Sequence, residues 1–512
     1  MLHSLSALLV LPLLAFSPIQ TDGPPDNVAL MAALEAVRAA NLSADLHFLA
    51  SDDMRGRETP SPELRIAADF LRARVQRLGF QPGAENGWYH EYPLHSSHLD
   101  ASAASLSMVS SLGEDSLTFA ESYYLERSSH AFDSDLEAEV ICVGRGKSKD
   151  IEKVDVTGKW ALILHNGKVL SSVVKRALKA GALGVIATPG EDYSRDTYYP
   201  ERYRKSSLKL LEGGRPSPTL RERKSGPPQI MLDREGAKRL FALSEVEFEG
   251  DYPPLGTELG VTLHETRHLV PETTPAQNVC AFWPGSDPEL SKEVMIVSAH
   301  YDHVGVGREQ QVFNGADDNA SGTTGLLGLA DALRAYGPLR RSVLLLWVSG
   351  EEKGLWGSEA WTEDPWLPEG CTPVLDLNID MIGRTEKEEL YITPSREHDA
   401  FNGVADAAYR LSHLEGFPEL ESQDEYWRRS DHMNFDVNLH IPVAFISTGS
   451  HPDYHKPTDT PDKIDYEKMT RIVRFVVRLL DELQDEELES WDLSEQTSEP
   501  EAELSAPDLP EK

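Results

Sequence analysis

Residues 294–318 read VMIVSAHYDHVGVGREQQVFNGADD, and the fold of the chain is best predicted outward from this stretch. Its apolar start, residues 294–297, is β-rich and too short for a typical helix, which predicts a buried strand. His300 and Asp302 follow two residues apart, so on extended backbone their side chains share one face. The polar turn GADDNASG at 315–322 then leads into a helical pattern. An imidazole at a strand end beside clustered carboxylates predicts a metal site.

Length and charge restrict the classes of protein that the chain can represent. At 512 residues it is too long for one ordinary core, so two domains are expected. Its formal net charge of −36 argues against a nucleic-acid partner, because nucleic acids are bound through an excess of Lys and Arg. A negative potential would attract cationic groups such as a free α-amino terminus.

The chain has three cysteines, Cys142, Cys280 and Cys371, and no C-x-x-C spacing. This spacing excludes a Cys-rich zinc site and predicts no disulfide framework. Cys142 and Cys280 lie in apolar, strand-like sequence, which favours buried free thiols.

Both ends of the chain differ in composition from the rest. Residues 5–16 are apolar but too few to span a bilayer, which predicts a signal peptide over residues 1–22 and a secreted, periplasmic or extracellular protein without stable membrane insertion. An uncleaved anchor or an internal helix is the alternative. Residues 485–512 are rich in Glu, Ser and Pro, which predicts a disordered acidic tail.

The first half of the chain predicts helices followed by a β-rich module. Apolar spacing predicts helices at 28–40 and 64–78, the second with Ser61 as cap, Pro62 in the first turn and Gly79 at its end. From about residue 99, short strands surround one helix, which indicates a compact β-rich module. Its basic segment 198–224 is interpreted as a solvated loop. The turn VDVTGK (154–159) and the passage ALKAGALGVI (177–186) resemble the protease-associated (PA) domain.

In the second half, apolar segments with strand and helix patterns alternate. This alternation predicts an α/β fold with a mostly parallel sheet and helices on both faces. In such sheets, sites form at the carboxyl ends of the strands. The segments are 294–299, 324–336, 342–348, 357–362, 374–379, 399–411, 441–447 and 466–483.

The predicted strand ends carry imidazoles and carboxylates. The groups are His300, the adjacent Glu351 and Glu352, Asp380, and His455 beyond the last strand, to which Asp318 is added. Two adjacent carboxylates repel each other unless a cation or a shared proton is present. The combined nitrogen and oxygen donors suit zinc.

These motifs occur in an order that resembles the co-catalytic zinc peptidases of family M28, in the subgroup with an inserted PA domain. The motifs are H-x-D (300–302), GADDNASG (315–322), E-E-x-G-L-x-G-S (351–358), DMIG (380–383) and DYHKPTDT (453–460), and the resemblance runs over residues 34–483. It implies an α-β-α sandwich with a mostly parallel mixed sheet over residues 23–97 and 266–484, and a β-rich PA insertion over residues 98–265.

The resemblance also implies roles for single residues. His300 and Asp380 would bind one zinc ion, Glu352 and His455 a second, and Asp318 would bridge the two, with a cis peptide bond after it. Glu351 would be the general base and Tyr454 would stabilise the oxyanion. Asp302 would orient the His300 ring, whereas Asp431 and His432, in an R-S-D-H segment, would hold loops and ligands. Asp317 is the less favoured ligand of its pair.

The function implied is a secreted aminopeptidase with two zinc ions per chain, acting on peptides with a free N-terminus. A carboxypeptidase would need a basic cluster, for which Arg428 and Arg429 are the nearest residues. A glutaminyl cyclase would hold one tightly bound zinc ion. A non-catalytic binding protein would lack one or more ligands, yet all five ligand positions and the base are present. Side-chain specificity and oligomeric state are not predicted.

Overall fold

The structure, a computed structural model, describes residues 27–125, 133–165, 171–190, 203–205, 207–208, 210–211, 216–218, 227–307 and 309–486. The predicted signal peptide, most of the basic segment 198–224 and nearly all of the acidic tail lie outside these residues.

The described part of the chain contains helices in both halves. They are α1 (Val28–Ala36), α2 (Ala39–Leu49), α3 (Pro62–Leu78), α4 (Ser148–Ile151), α5 (Ser171–Lys179), α6 (Arg234–Ala242), α7 (Gly322–Tyr336), α8 (Trp356–Glu363), α9 (Gly403–Leu411), α10 (His432–Asn434) and α11 (Tyr466–Leu483).

The strands fall into two sheets. In chain order they are β1 (Gln81–Pro82), β2 (Tyr89–Leu99), β3 (Ser105–Ser110), β4 (Gly113–Leu117), β5 (Tyr123–Leu125), β6 (Ser134–Cys142), β7 (Trp160–His165), β8 (Gly184–Pro189), β9 (Gln229–Leu232), β10 (Glu258–Arg267), β11 (Leu269–Trp283), β12 (Glu293–His300), β13 (Ser342–Val348), β14 (Thr372–Ile379), β15 (Tyr391–Thr393), β16 (Glu421–Ser422) and β17 (Val443–Ser447).

The chain divides into two compact units. The first contains the described residues up to His90 and from Gln277 onward, and the second is Glu91–Ala276. The inserted module is expected over residues 98–265. The second unit therefore begins earlier and ends later than this expectation. One reason is that His95 already exchanges backbone hydrogen bonds with Ser217, a residue of the second unit.

The first unit is built on a mixed sheet with the strand order β1-β11-β13-β12-β14-β17-β15-β16, in which β2 also pairs with β11. Its centre is parallel, because β13, β12, β14 and β17 run in the same direction. Towards the edges, β11 pairs with β13 and β15 with β17 in antiparallel fashion. The α/β sheet that the alternating pattern predicts is present, but it is mixed rather than mostly parallel: three consecutive pairs at its centre and the edge pair β15–β16 are parallel.

Apolar side chains cover both faces of this sheet. Along β12, Met295 and Val297 belong to a large core formed with α1, α2, α3, α7, α9 and α11, whereas Val294 and Ile296 belong to a smaller core that includes Trp361 of α8. Adjacent residues point to opposite faces because side chains alternate along extended backbone. A strand buried on both sides reads as a continuous apolar run, which is why the sequence predicts it.

The predicted limits of the first two helical segments have different outcomes. Helix α3 begins and ends as expected: the Ser61 side chain accepts a hydrogen bond from the Leu64 backbone N–H, and Gly79 ends the helix at φ 94°. The single helix predicted over 28–40 is wrong, because α1 and α2 are separated by Val37 and Arg38 in extended conformation. The buried Val37 side chain belongs to the large core that also receives α1 and α2.

The second unit has a sheet of its own, with the strand order β4-β3-β10-β6-β7-β8-β9-β5. Strands β6, β7, β8 and β9 are parallel neighbours, and β3, β4 and β10 form antiparallel pairs at one end. Gly184 of β8 packs against Trp160 of β7, since a Cβ atom at this glycine would lie 2.3 Å from the indole ring. The predicted strand-helix-strand passage through residues 160–186 is therefore present as β7, α5 and β8.

The three cysteines are free, and Cys142 and Cys280 are buried as predicted. Among the helices of the described residues, none combines the length and the apolar character needed to cross a membrane.

Leu345 of the central strand β13 is fully buried in the large core. Replacing it with alanine (Leu345→Ala) should lower the free energy of unfolding by about 2–5 kcal/mol, because the truncated side chain leaves a cavity. Urea denaturation followed by tryptophan fluorescence would measure this change. The control is Ile66→Ala on α3, where the side chain is 51% exposed and the change should stay within about 0.5 kcal/mol. Equal losses in the two variants would contradict the buried position of β13.

Candidate metal centre

Four neighbouring parallel strands end at one edge of the first unit's sheet, and the residues beyond these ends carry the charged groups. Strand β12 ends at His300, which lies beside Val348, the last residue of β13. Asp380 follows β14 directly, and the segments after β13 and β17 contain Glu352 and His455. The edge predicted from the alternating pattern thus collects groups that are far apart in the chain.

Two groups of potential metal ligands lie at this edge and share one residue. The first group contains His303, Asp318, Glu352 and His455, and the second contains His300, Asp318 and Asp380. Within each group, the atoms that can bind a metal lie within 4.8 Å of one another. The structure therefore brings together all five residues that the resemblance implies as ligands, and it adds His303.

Asp318 directs its two carboxylate oxygens towards different groups. Oδ1 lies 3.4 Å from Nε2 of His300, while Oδ2 lies 3.0 Å from Nε2 of His455 and 3.6 Å from Nδ1 of His303. Tetrahedral zinc with bonds of about 2.0–2.1 Å would separate two of its ligand atoms by about 3.3 Å. The distances on both sides of the Asp318 carboxylate are therefore close to those between two ligand atoms of one zinc ion.

Unpaired polar atoms test whether a cation fits these groups. Nδ1 of His303, Oδ2 of Asp318 and Oε1 of Glu352 are buried and make no hydrogen bond within the described residues. Each such atom costs about 1–3 kcal/mol, and more when the group is charged. A divalent cation would satisfy all three, and mixed imidazole and carboxylate donors are a set that zinc binds. The residues present therefore fit zinc.

The loop that carries Asp318 is held by backbone contacts. The Asp459 carboxylate accepts hydrogen bonds from the backbone N–H groups of Asp317, at 3.1 and 3.0 Å, and of Asp318, at 3.2 Å. Gly315 has φ 56°, and a Cβ atom there would lie 2.3 Å from the Asp318 carbonyl oxygen. The Asp318–Asn319 peptide bond is cis, as the resemblance implies.

Asp302 supports the site mainly through the neighbouring loops. Its carboxylate accepts hydrogen bonds from the Glu351 backbone N–H at 3.2 Å and from the Thr59 hydroxyl at 3.0 Å. The Thr59 oxygen in turn accepts one from the Gly350 backbone N–H. Nδ1 of His300 lies 3.3 Å from the Asp302 carbonyl oxygen but 3.7 Å from its carboxylate. The carbonyl is thus the nearer partner of the His300 ring.

The R-S-D-H segment reaches the ligands through its serine. The Ser430 hydroxyl donates a hydrogen bond of 2.9 Å to Oδ2 of Asp380. Asp431 instead accepts a hydrogen bond from a serine of α8, which agrees with a role in holding loops. His432 stacks on the Phe445 ring at a centroid distance of 4.9 Å. The contact of this segment with the Asp380 carboxylate is thus made by Ser430, to which sequence reasoning gave no role.

Asp317 is directed away from both groups. Its Oδ1 accepts a hydrogen bond from the Gly383 backbone N–H at 2.7 Å, and its Oδ2 lies 3.2 Å from Nε2 of His451. Of the two adjacent aspartates, Asp318 therefore faces the groups of potential metal ligands and Asp317 does not, as the resemblance implies.

The two residues expected to take part in chemistry border the ligand groups. Oε2 of Glu351 lies 4.0 Å from Nε2 of His300. Burial raises the pKa of Glu351 well above its ordinary value, although the nearby His300 imidazole opposes the rise. Tyr454 is 38% exposed, and its ring stacks on the His455 ring at 3.9 Å. Burial, together with the Asp318 carboxylate, holds the pKa of Tyr454 well above its ordinary value, so its hydroxyl keeps its proton.

Arg57 joins the segments from which the site is built. Its fully buried guanidinium donates hydrogen bonds to the carbonyl oxygens of Leu49, Tyr301, Asn314 and Gly315. These carbonyls belong to the end of α2, the segment after β12 and the Asp318 loop. Burial lowers the pKa of Arg57 to about 10, so the side chain stays positive at neutral pH close to the carboxylates.

Sequence reasoning gave no role to four residues of this site: His303, Arg57, Asp459 and Ser430. His303 could have been found, because it lies three residues after His300 in the same H-Y-D-H segment. Asp459 lies within the quoted motif DYHKPTDT, but nothing in the motif tells that its carboxylate binds backbone N–H groups. Arg57 carries no sequence signal, since its partners are backbone carbonyls.

Substituting Arg57 tests whether its hydrogen bonds hold α2, the segment after β12 and the Asp318 loop together. Arg57→Leu should lower the free energy of unfolding by more than about 3 kcal/mol, because four buried carbonyl oxygens lose their donor. Urea denaturation measures the change. The control is Arg72→Leu on α3, a partly exposed arginine whose side chain bonds to Tyr89 and Gln76, where the loss should remain below about 1 kcal/mol. A loss in Arg57→Leu no greater than in the control would refute the proposed linkage.

Comparison with known proteins identifies relatives of this part of the chain. Residues 278–480 match the sequence profile of Peptidase family M28. A probable leucine aminopeptidase of Arthroderma benhamiae is 28% identical over 207 residues, which are 38% of this chain and 56% of that protein. Aminopeptidase YwaD of Bacillus subtilis is 24% identical over 341 residues, which are 65% of this chain and 64% of that protein.

The chain thus spans about half to two thirds of the length of these curated relatives. Among solved structures, an aminopeptidase from Aneurinibacillus sp. strain AM-1 aligns with 90% of this chain and 98% of its own at 22% identity, with a TM-score of 0.47. Residues 278–480, which contain both groups of potential metal ligands, therefore match peptidase family M28.

Proposed function

We propose that the first unit is a metallo-exopeptidase that removes residues from the free N-terminus of peptides and uses two zinc ions per chain. The observation that carries this proposal is Asp318, whose two oxygens face separate ligand groups, with Glu351 beside them. Paired metal sites of this kind serve hydrolases, aminopeptidases among them. The match of residues 278–480 to peptidase family M28 supports the same reaction class.

The residues would divide the work of hydrolysis between them. His300 and Asp380 would hold one ion and Glu352 and His455 the other, with Asp318 between them. Zinc ions bound there would polarise the scissile carbonyl and acidify a water molecule. Glu351 would accept a proton from the attacking water and pass it to the leaving amine, for which its raised pKa is suitable.

Tyr454 would supply a hydrogen bond to the oxyanion of the tetrahedral intermediate. Two properties support this role: the side chain is partly exposed above His455, and its hydroxyl keeps its proton because its pKa is raised. A donor that is aimed at developing negative charge lowers the barrier of acyl transfer.

The preference for a free N-terminus is supported by charge. The chain has a formal net charge of −36, and the site itself is lined by carboxylates. A cationic α-amino group is attracted to such a surface, whereas a C-terminal carboxylate is repelled. Arg428 and Arg429, the nearest candidates for the basic cluster of a carboxypeptidase, are exposed.

We further propose that the second unit is a PA domain and that the protein is secreted. The turn 154–159 precedes β7, and the passage 177–186 runs from the end of α5 into β8, the order found in the quoted PA landmarks. The apolar segment 5–16 supports export.

Glu351→Gln tests the general base. The substitution keeps the shape of the side chain but removes its ability to take a proton, so kcat should fall by about 10²–10⁴-fold. The zinc content, measured by elemental analysis of the dialysed protein, should not change. Glu363→Gln, at the exposed end of the nearby helix α8, is the matched control and should retain full activity. Retained activity in Glu351→Gln would disprove its role.

A substrate panel tests the reaction class. Aminoacyl-p-nitroanilides, N-blocked peptides, peptides with a C-terminal reporter and a glutaminyl peptide would be tested before chelation, after chelation and after zinc is returned. Only substrates with a free amine should be cleaved, and activity should disappear with the chelator and return with zinc. Cleavage at the C-terminus or cyclisation of glutamine would replace the aminopeptidase with those activities. If the protein holds no metal and cleaves none of the substrates, the result would support a binding protein instead.

A further inference from the structure

His303 is a buried histidine whose place in the chain puts it next to the ligand groups. It lies three residues beyond the end of β12, and its side chain is fully buried. Its backbone N–H donates a hydrogen bond to the Arg57 carbonyl oxygen. Gly315 leaves room for the ring, because a Cβ atom there would lie 2.5 Å from it. Backbone and side chain are therefore both constrained to this position.

The nitrogen Nδ1 of His303 faces two carboxylates. It lies 2.7 Å from Oε1 of Glu352 and 3.6 Å from Oδ2 of Asp318. Despite the short distance to Glu352, neither ring nitrogen of His303 makes a hydrogen bond within the described residues, and Oε1 of Glu352 also makes none. A buried imidazole without hydrogen bonds is costly. Nδ1 of His303 and Oε1 of Glu352 are thus close together and both unsatisfied, which makes them available to a shared third partner.

The two carboxylate oxygens of Glu352 lie near different histidines. Oε1 lies near His303, whereas Oε2 lies 3.1 Å from Nε2 of His455. The rings of His303 and His455 are nearly perpendicular, at 76°, with centroids 5.6 Å apart. The two imidazoles therefore approach the group from different sides, with the carboxylates of Glu352 and Asp318 between them.

We infer that His303 is a fourth protein ligand of the position formed by Asp318, Glu352 and His455, so that the two metal positions are unequal. This inference rests on the proposed metal centre and goes beyond its function. The position with His303 offers two imidazoles and two carboxylates, whereas the other offers one imidazole and two carboxylates. Four protein ligands complete the coordination of a tightly held zinc ion, and three leave a place open. The first position should therefore retain its ion longer against a chelator.

Zinc titration of the full-length protein tests the inequality. The metal-free protein would be titrated in competition with a chromogenic chelator, and two steps of different affinity are expected. His303→Ala should weaken the tighter step by more than about 100-fold, which is beyond the loss typical for a group that only orients a ligand. His413→Ala is the control, because His413 lies in the same unit, is exposed and belongs to neither group. It should leave both steps unchanged.

Cobalt provides a direct spectroscopic test of contact between residue 303 and the metal. In His303→Cys, a coordinating thiolate would give a sulfur-to-cobalt charge-transfer band when Co²⁺ is added, since a metal-bound thiol is deprotonated. The three native cysteines belong to neither ligand group, so the wild-type protein should show no such band. This variant also decides the question if His303→Ala does not fold.

The outcomes separate the inference from the proposed function. Two zinc ions in the wild type, a weakened tight step in His303→Ala and a cobalt band in His303→Cys would support both. Two zinc ions in the wild type, with no band and unchanged binding in His303→Ala, would overturn the role of His303 and leave the metal centre intact. A wild-type protein that binds no zinc would overturn the proposed function itself.

Discussion

The density of buried carboxylates at one edge of the sheet is the constraint on which the first unit depends. Asp302, Asp318 and Asp380 are all buried, and Glu352 lies beside them. Like charges at such distances repel strongly where water is excluded. The fold compensates in part with Arg57, whose guanidinium is buried in the same region. The remaining negative charge explains why this edge is suited to divalent cations.

At this same edge, the pKa values of the adjacent Glu351 and Glu352 are shifted in opposite directions. Burial raises the pKa of Glu351 well above its ordinary value. Burial also acts to raise the pKa of Glu352, but the imidazoles of His303 and His455 outweigh it and hold the pKa well below its ordinary value. One carboxylate therefore holds a proton more readily, whereas its neighbour stays charged. Environments that push two pKa values apart in this way separate the acid–base group from the charged group.

The geometry of the site depends on parallel strands that end together and on loops held by their backbones. Strand β12 supplies His300 and β14 leads to Asp380, so the sheet itself places two of the potential metal ligands. Asp318 lies on a loop. Hydrogen bonds from its backbone N–H groups to the Asp459 carboxylate, and from the Arg57 guanidinium to its carbonyl oxygens, hold this loop in position. A rigid sheet edge with tethered loops can hold ligands to within the tolerance that metal chemistry needs.

The sequence by itself determined the apolar runs, the alternation of strands and helices and the motifs that bear the ligands. Burial on both faces leaves a continuous apolar run at β12 and β13, and motif spacing is a local property, so both can be read without coordinates. Only the tertiary structure decided which of the neighbouring polar groups face the site. Side-chain direction separates Asp318 from Asp317, brings His303 into the first ligand group and places the Ser430 hydroxyl on Asp380. The break between α1 and α2 and the role of Arg57 depend likewise on long-range packing and on backbone carbonyls, which no residue type reveals.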